Sequence, residues 1–147
     1  MTAKNNTEVW YWKKTRNNME KIKSKSEKRL IVEGIVNGKA ANFLIDTGAS
    51  VGIIDYDQRK HYDLVVGRRY NGTIIGAGGE MRNVRHCDTF VHIKDRVVAQ
   101  FLLADISGVV SSIRRETGIE ILGIISLPQM KMTNITLDCN DNLIILE

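Results

Sequence analysis

One acidic residue, Asp46, follows a run of apolar residues in the stretch NFLIDTGASVGIID. Thr47 and Gly48 come directly after it, and the chain becomes apolar again at Val51. A charged side chain within an apolar segment costs free energy unless it finds a partner. Asp46 therefore either bonds its own turn, as a strand-end aspartate commonly does, or serves chemistry that needs a carboxylate in a shielded place.

Two glycine-containing motifs follow Asp46 in the chain. The segment GAGG, residues 76–79, lies between two strand-like halves, where glycine gives the backbone freedom to bend. A dinucleotide-binding fingerprint is excluded there, because Met81 stands where its last glycine or alanine belongs and no strand–helix–strand pattern surrounds it. A plain flexible hairpin remains an alternative. The second motif is the triplet Ile121, Leu122 and Gly123.

Metal and cofactor chemistry is not expected. The three histidines, His61, His86 and His92, do not cluster with carboxylates or thiols at the spacing of metal ligands. The two cysteines, Cys87 and Cys139, suit reduced thiols better than a disulfide framework. We therefore expect no metal and no other cofactor.

Short strands dominate the predicted elements. The runs LIVEGIV and AANFLID flank Asn37 and Gly38, a pair that favours a tight hairpin. VGIID predicts another strand, DTFVHI and VVAQFLLAD predict a second hairpin about KDR, and TNITLD and NLIILE predict a last one. A buried strand is expected to end at Gly123. Asp46 falls at the end of the second strand, where the chain must turn.

Two short helices complete the predicted fold. The first runs from Ser107, which can cap it, to Gly118, which ends it. The second contains Pro128 near its first turn. Many short strands with one or two short helices indicate a mostly β fold that closes as a sandwich or barrel.

Charge divides the chain into two parts. Residues 1–29 carry a net charge of +6, and residues 30–147 carry −2. We expect a basic N-terminal tail over 1–29, flexible or part helical, and one folded domain over 30–147. The tail is either a solubilising leader or a nucleic-acid-binding arm. No signal peptide or membrane span is evident, so the expected location is cytoplasmic.

Three segments in the same order resemble the retropepsins, the retroviral-type aspartic proteases. LIVEGIVNGKAANFLIDTGAS resembles their opening, TIIGAGGEMRNV is similar to their flap hairpin, and ILGIISL resembles their second signature. The resemblance covers about residues 30–147. The longer segment SGVVSSIRRETGIE makes it closer to cellular and bacterial members than to the shortest retroviral enzymes. It implies an acid-protease fold, a closed β-barrel with a glycine-rich flap.

The resemblance also implies site roles. Asp46, Thr47 and Gly48 would form the catalytic loop. Because the chain has one Asp-Thr-Gly triplet, two chains must meet, and the resemblance implies a homodimer with two Asp46 carboxylates. Substrate-binding residues would come from the catalytic loop and the flap, and supporting residues from the second signature; these are Ala49, Ile74, Ile75, Gly76, Ala77, Gly78, Gly79, Ile121, Leu122 and Gly123, with Ile53 as a further pocket wall.

The predicted function is therefore an aspartic endopeptidase that hydrolyses extended peptides with apolar side chains. Its water would be activated between two Asp46 carboxylates, without metal or covalent intermediate. Two alternatives remain open. The same dimeric fold could bind peptides without cleaving them, or the chain could be an adaptor whose basic tail binds nucleic acid.

Overall fold

A computed structural model describes residues 19–76 and 79–147. Its strands are β1 (Glu20–Lys23), β2 (Ile31–Val36), β3 (Lys39–Asp46), β4 (Gly52–Asp55), β5 (Ile75–Gly76), β6 (Gly79–Glu80), β7 (Arg85–Cys87), β8 (Val91–Ile93), β9 (Arg96–Val98), β10 (Phe101–Ala104), β11 (Gly123–Ser126), β12 (Ile135–Asp138) and β13 (Leu143–Leu146). The α-helices are α1 (Ser107–Thr117) and α2 (Leu127–Met132), and Tyr56–Gln58 forms one 3₁₀ turn. The fold is mostly β with few helices, as predicted.

An eight-stranded sheet forms the centre of the molecule, in the order β7-β10-β4-β11-β3-β2-β8-β9. Strands β2 and β3 form the predicted hairpin, in which Asn37 and Gly38 have φ of 49° and 80°. These positive values suit an asparagine–glycine turn. Strand β11 lies between β3, to which it is parallel, and β4, to which it is antiparallel. The ends of β3 and β11 are thereby brought together.

Alternation along β3 decides which side chains reach the core. Ala41, Phe43 and Ile45 are buried, whereas Leu44 and Asp46 are half-buried on the opposite face. Successive strand residues point to opposite faces, so this pattern is what a strand with one fully covered face requires. Burial of a side chain such as Phe43 stabilises the fold by about 1.5–3 kcal/mol. Asp46 therefore shares its face with Leu44 and not with the buried phenylalanine.

A second sheet joins the two ends of the described chain. Strand β13 lies between β1 and β12 and pairs antiparallel with both. Strand β1 falls within the predicted N-terminal tail, so residues 20–23 add a strand to the body although their sequence suggests only a solvated segment. Residues 1–18 lie outside the described residues, and the boundary between residues 29 and 30 stays a prediction.

The two α-helices are where the sequence places them, but one cap differs. Gly118 ends α1 with a φ of 76°, as expected of a terminal glycine. Ser107 does not cap α1, because the N-cap is Ile106, and the Asp105 carboxylate accepts a hydrogen bond from the Ser107 N–H at 2.9 Å. In α2, Pro128 stands in the first turn, preceded by the N-cap Ser126.

Three features of the strands differ from the sequence predictions. Strand β11 begins at Gly123 instead of ending there. The predicted strand VVAQFLLAD is divided into β9 and β10, because Gln100 has a positive φ of 68° and turns the chain. Within the described residues the large sheet is open, with β7 and β9 at its edges, so the expected closed barrel is not confirmed. None of the helices described is both long and apolar enough to cross a membrane.

Candidate active site

Asp46 is the last residue of β3, and its carboxylate is held by the turn that follows. Its Oδ1 atom accepts a hydrogen bond from the Gly48 N–H at 2.9 Å, and its carbonyl oxygen accepts one from the Ala49 N–H at 3.1 Å. The carbonyl oxygen of Ala49 in turn accepts from the Leu127 N–H at 3.2 Å. This chain of bonds ties the Asp-Thr-Gly loop to the start of α2 and fixes one carboxylate oxygen of Asp46.

The turn itself lies at the surface of the single chain, whereas its apolar flanks suggest a buried corner. Asp46 is half-buried, and Thr47 and Gly48 are exposed. The apolar residues on either side of the turn lie in β3 and β4 and are largely buried. The alternation of side chains along β3 nevertheless places Asp46 on the less covered face. A carboxylate at this surface is open to a substrate or to a second chain.

The triplet Ile121, Leu122 and Gly123 lies beside the middle of β3, where Gly123 pairs with Phe43, whereas Ser126 at the end of β11 pairs with Asp46. Ile121 and Leu122 are fully buried, and the Leu122 N–H donates to the Asn42 carbonyl oxygen at 2.7 Å. A Cβ atom on Gly123 would collide with the Ile53 carbonyl oxygen of β4. Only glycine therefore lets β11 enter between the strand that ends at Asp46 and its neighbour β4.

Residues 74–76 and 79–81 pair as the two arms of a short hairpin, and Ile74 and Met81 pack against the same apolar cluster as Leu44. Gly76 pairs with Gly79, Ile75 pairs with Glu80, and the Met81 N–H donates to the Ile74 carbonyl oxygen at 2.8 Å. Ile74 packs against an apolar cluster, whereas Ile75 is 78% exposed. Ala77 and Gly78, at the predicted flap tip, lie outside the described residues.

A groove of about 1160 Å³ runs between this hairpin and helix α1. Gly76, Gly79 and Met81 line it from the hairpin, and Leu44 lines it from β3. Asp46 itself is not among the lining residues, but Leu44 stands two positions before it on the same face of β3. Of the predicted pocket walls, Ile53 is 5% exposed and belongs to the core.

Arg29 lines this groove and forms a two-point ion pair with Glu116. Arg29 Nε and Nη2 donate to Glu116 Oε1 and Oε2, each at 3.0 Å. These hydrogen bonds lower the pKa of Glu116, and Glu116 in turn raises the pKa of Arg29. The Asp46 carboxylate adds a smaller electrostatic contribution that also raises the Arg29 pKa. Arg29 therefore lies within electrostatic reach of Asp46.

Three carboxylates, those of Asp55, Asp57 and Asp105, have oxygen atoms within 4.8 Å of one another, and Asp57 and Asp105 line the same groove. Protein donors account for their positions. The buried Asp55 accepts from Gln58 Nε2 at 3.0 Å, and Asp105 accepts from the Ser107 N–H at 2.9 Å. Hydrogen bonding to the Ser107 side chain, and to a smaller extent to its backbone N–H, lowers the pKa of Asp105. They occur together because β4 and β10 are parallel and end side by side.

Two contributors to the groove are not predicted from the sequence as site residues. One is Arg29, and the other is the face of α1 that carries Gly108, Val109 and Ser112. The helical pattern of α1 is visible in the sequence, but its periodicity does not show which element it faces. Arg29 gives no local signal either, since it follows other basic residues in the predicted tail.

Comparisons with known proteins identify the family and agree with the fold. The sequence model of a family described as aspartyl protease matches residues 32–128, well over half of the chain. Among solved structures, the EIAV protease in complex with the inhibitor HBY-793 is 22% identical, covers 80% of this chain and 99% of its own, and has a TM-score of 0.57. A search of curated protein sequences found no match.

Two further structures share the fold. A retropepsin-like aspartic protease from Rickettsia conorii is 15% identical, covers 88% of this chain and 98% of its own, and has a TM-score of 0.54. The retroviral protease-like domain of Ddi1 from Leishmania major is 17% identical, covers 79% of this chain and 86% of its own, and has a TM-score of 0.52. At these identities the likeness concerns the fold. With the family match across Asp46 and Gly123, the chain belongs to the aspartyl protease family and has a retropepsin-like fold.

Proposed function

We propose that this chain is an aspartic endopeptidase that works as a homodimer, with the Asp46 of one protomer facing that of its partner. The observation that carries this proposal is the position of Asp46. It ends β3 at the surface, is fixed by the Gly48 N–H, and follows by two positions Leu44, which lines a groove of about 1160 Å³ on the same face of β3. The chain contains a single Asp-Thr-Gly triplet, so a second carboxylate of the same kind must come from a second chain.

Paired carboxylates supply both halves of the acid–base chemistry. Two carboxyl groups within hydrogen-bond distance cannot both be ionised, because their negative charges repel, so the pair shares one proton. The ionised carboxylate takes a proton from a water molecule as its oxygen attacks the peptide carbonyl carbon, and the protonated one donates to the carbonyl oxygen. The tetrahedral intermediate then breaks at the C–N bond as the nitrogen receives the proton that the first carboxylate took from water, and the second carboxylate recovers its proton from a hydroxyl group of the intermediate. The products are a carboxyl terminus and an amine.

The small sheet supports the proposed dimer. Strands β1 and β12 are its two edges within the described residues, and an edge strand is a template for pairing with another chain. Thr47 is exposed next to Asp46, as a residue that contacts the partner across a two-fold axis must be. Dimer formation would also cover the surface turn, which gives Asp46 the shielded setting that its apolar flanks suggest.

The hairpin of residues 74–81 is proposed as the flap. It borders the groove through Gly76, Gly79 and Met81, and its backbone can pair with an extended peptide as an added strand. In this proposal Gly76, Ala77, Gly78 and Gly79 cover the substrate, and the apolar lining residues of the groove favour apolar substrate side chains.

The domain assignment is part of the proposal. The family match begins at residue 32, which supports a protease domain over 30–147 preceded by a basic segment over 1–29. Strand β1 pairs the end of that segment with β13. A nucleic-acid-binding role for the basic segment gains no support from the described residues.

Replacement of Asp46 by Asn tests the proposal. The asparagine side-chain oxygen can still accept the Gly48 N–H, so the fold should remain, but the dyad loses its acid–base pair and kcat should fall by about 10²–10⁴-fold or more. Cleavage of a peptide library with wild type and Asp46→Asn measures this. The matched control is Asp95→Asn, which removes an exposed carboxylate in the β8–β9 turn and should leave the rate unchanged.

Two outcomes would decide against the proposal. Undiminished cleavage by Asp46→Asn would show that the chemistry lies elsewhere. Binding of peptides by the wild type without turnover at any pH would assign the fold to a peptide-binding module instead.

A homodimer further predicts that specific activity falls on dilution, and a rate strictly proportional to protein concentration down to the lowest measurable level would contradict it.

A further inference from the structure

Gln129, in the first turn of α2, is a buried polar residue that is only 4% exposed. Its Oε1 atom accepts hydrogen bonds from the Ser126 N–H at 2.9 Å and from the Ser126 hydroxyl group at 3.0 Å. Its Nε2 atom donates to the Ala99 carbonyl oxygen at 2.8 Å and to the Gln100 carbonyl oxygen at 3.3 Å. The oxygen thus accepts two bonds and the nitrogen donates two, which is all that a side-chain amide can make.

The Ser126 end of this network adjoins Asp46. Ser126 is fully buried, and it is the residue of β11 that pairs with Asp46 of β3. It is also the N-cap of α2, and the next residue, Leu127, donates its N–H to the Ala49 carbonyl oxygen at 3.2 Å. A shift of Ser126 would therefore move both the strand beside Asp46 and the N–H group that holds the turn between β3 and β4.

The amide group of Gln129 also packs against Gly52, where the chain enters β4 after that turn. A Cβ atom on Gly52 would collide with the amide, so only glycine leaves room for it. Gln100, which accepts from Nε2, has a positive φ of 68°, a conformation that needs support in a residue other than glycine. Gln129 thus contacts the turn at Gly52 directly and reaches Asp46 through Ser126.

From these contacts we propose that Gln129 is a positioning residue for Asp46, whose side chain clamps the turn between β3 and β4 so that the carboxylate meets that of the partner protomer. This inference rests on the proposed protease function. Gln129 is not among the described residues that line the groove, so it acts through Ser126 and Gly52. A displacement of about 1 Å in a catalytic group can cost about 10²-fold in rate, whereas substrate binding depends on the groove. Loss of the Gln129 amide should therefore lower kcat and leave KM nearly unchanged.

Gln129→Met tests the proposal, because methionine has a similar length and shape but lacks the amide group. In peptide cleavage assays kcat should fall about 10–100-fold, with KM within about two-fold of the wild-type value. The matched control is Thr133→Val at the other end of α2. It removes the hydrogen bond that the Thr133 hydroxyl group donates to the Gln129 carbonyl oxygen at 2.7 Å, so it should weaken the same helix without changing kcat.

Gln129→Glu is the conservative variant, and it separates the hydrogen bonds from the packing. When the introduced carboxyl group is protonated, it can donate to the Ala99 carbonyl oxygen and accept from the Ser126 N–H, as the amide does. Burial, the neighbouring carbonyl oxygens and the Asp46 carboxylate on the adjacent strand all favour the protonated form, so its pKa should lie well above the ordinary value of about 4.3. The kcat of this variant relative to the wild type should therefore rise as the pH falls from about 7 to about 4.

The methionine variant has no group to protonate, so its kcat relative to the wild type should stay low over the same pH range. At the acid end both introduced side chains are uncharged, and only the carboxylic acid can restore the bonds to Ser126 and Ala99. Two variants that are equally slow there would overturn the inference.

Amide hydrogen exchange gives a readout that does not need cleavage. In Gln129→Met the N–H groups of Ala49 and Leu127 should exchange about ten-fold faster or more, while those that pair β1 with β13 keep their wild-type rates. If the wild type cleaves nothing but these rates change as expected, Gln129 holds the turn and the protease function fails.

The opposite result separates the two proposals in the other direction. If the wild type cleaves peptides and Gln129→Met keeps its kcat, or loses no more than Thr133→Val, the inference is overturned and the proposed function stands. Unchanged exchange rates at Ala49 and Leu127 would likewise overturn the inference, whether or not the wild type cleaves peptides.

Discussion

Arg29 and Glu116 connect the segment before β2 with the last turn of α1 through two parallel hydrogen bonds of 3.0 Å. Planar guanidinium and carboxylate groups match in this geometry, so the pair also fixes the relative orientation of the two side chains. Glu116 is partly exposed, and solvent screens much of the attraction. At the scale of residues, the pair orients one groove wall and contributes little to the free energy of unfolding.

The lowered pKa of Glu116 gives a pH-dependent prediction. A carboxyl group whose pKa is lower in the folded state adds stability above its unfolded value, about 4.3, and loses it as the pH falls through the folded value. Glu116→Gln should therefore be less stable than the wild type at pH 6, and the difference should shrink below about pH 4. Urea denaturation at several pH values measures both proteins.

A double-mutant cycle with Arg29→Gln is the control for this prediction. In the Arg29→Gln background, Glu116→Gln should change the free energy of unfolding little at any pH, because the partner is already removed. A Glu116→Gln effect that is constant from pH 3 to pH 7 would contradict the assigned role of the ion pair.

Local sequence signals predict the secondary-structure elements well where one or two residues determine the backbone conformation. Asn37 and Gly38 predict the β2–β3 hairpin because both tolerate positive φ, and Gly118 predicts the end of α1 for the same reason. The prediction that Ser107 caps α1 is wrong, since the N-cap lies one residue earlier and the Asp105 carboxylate accepts a hydrogen bond from the Ser107 N–H. Helix starts depend on which of several nearby polar groups reaches the free N–H groups.

At the scale of elements, a testable prediction concerns Gly123, where β11 begins between β3 and β4. Gly123→Ala would place a Cβ atom against the Ile53 carbonyl oxygen and 3.2 Å from Ile54 Cα, and strand backbones cannot move apart without loss of pairing. The variant should lower the free energy of unfolding by about 1–3 kcal/mol or more. Urea denaturation is the measurement.

Gly108→Ala is the matched control, since no atom lies within 4 Å of the added Cβ. It should leave stability unchanged or raise it by up to about 1 kcal/mol through helix propensity. If Gly123→Ala unfolds at the same denaturant concentration as the wild type, the close packing of β11 between β3 and β4 is wrong.

On the scale of the whole molecule, strand β1 joins the two ends of the described chain. It pairs with β13 at four register positions from Glu20 to Lys23, and Ile22 packs against the core. Ser24, which follows it, is buried and accepts the Ile31 N–H at 3.0 Å. The segment therefore belongs to the fold in this structure, although its composition is that of a solvated tail.

Truncation tests this role of β1. Deletion of residues 1–23 removes the strand, opens an edge of β13 and exposes core residues, so the free energy of unfolding should fall markedly. Deletion of residues 1–18 leaves β1 in place and should cost far less. Equal stability of the two truncated chains, measured by thermal and urea denaturation, would show that β1 adds nothing to the body.

Several features of this protein follow from its amino-acid sequence alone: the Asp-Thr-Gly turn at the end of a strand, the β2–β3 hairpin, two short helices and the mostly β character. These depend on contacts within a few residues, where alternation, glycine and asparagine act directly. The resemblance carried by NFLIDTGAS, TIIGAGGEMRNV and ILGIISL also identifies the family, because these motifs are specific when they occur together.

The meeting of distant segments, in contrast, is visible only in the three-dimensional fold. Strand β10 pairs in parallel with β4 and not with β9, β1 adds to β13, and α1 faces the β5–β6 hairpin across a groove that Arg29 and Leu44 also line. The physical reason is that a strand edge or an amphipathic helix can satisfy its bonds with many partners. The choice among them is made by the burial of the whole core, which no local pattern encodes.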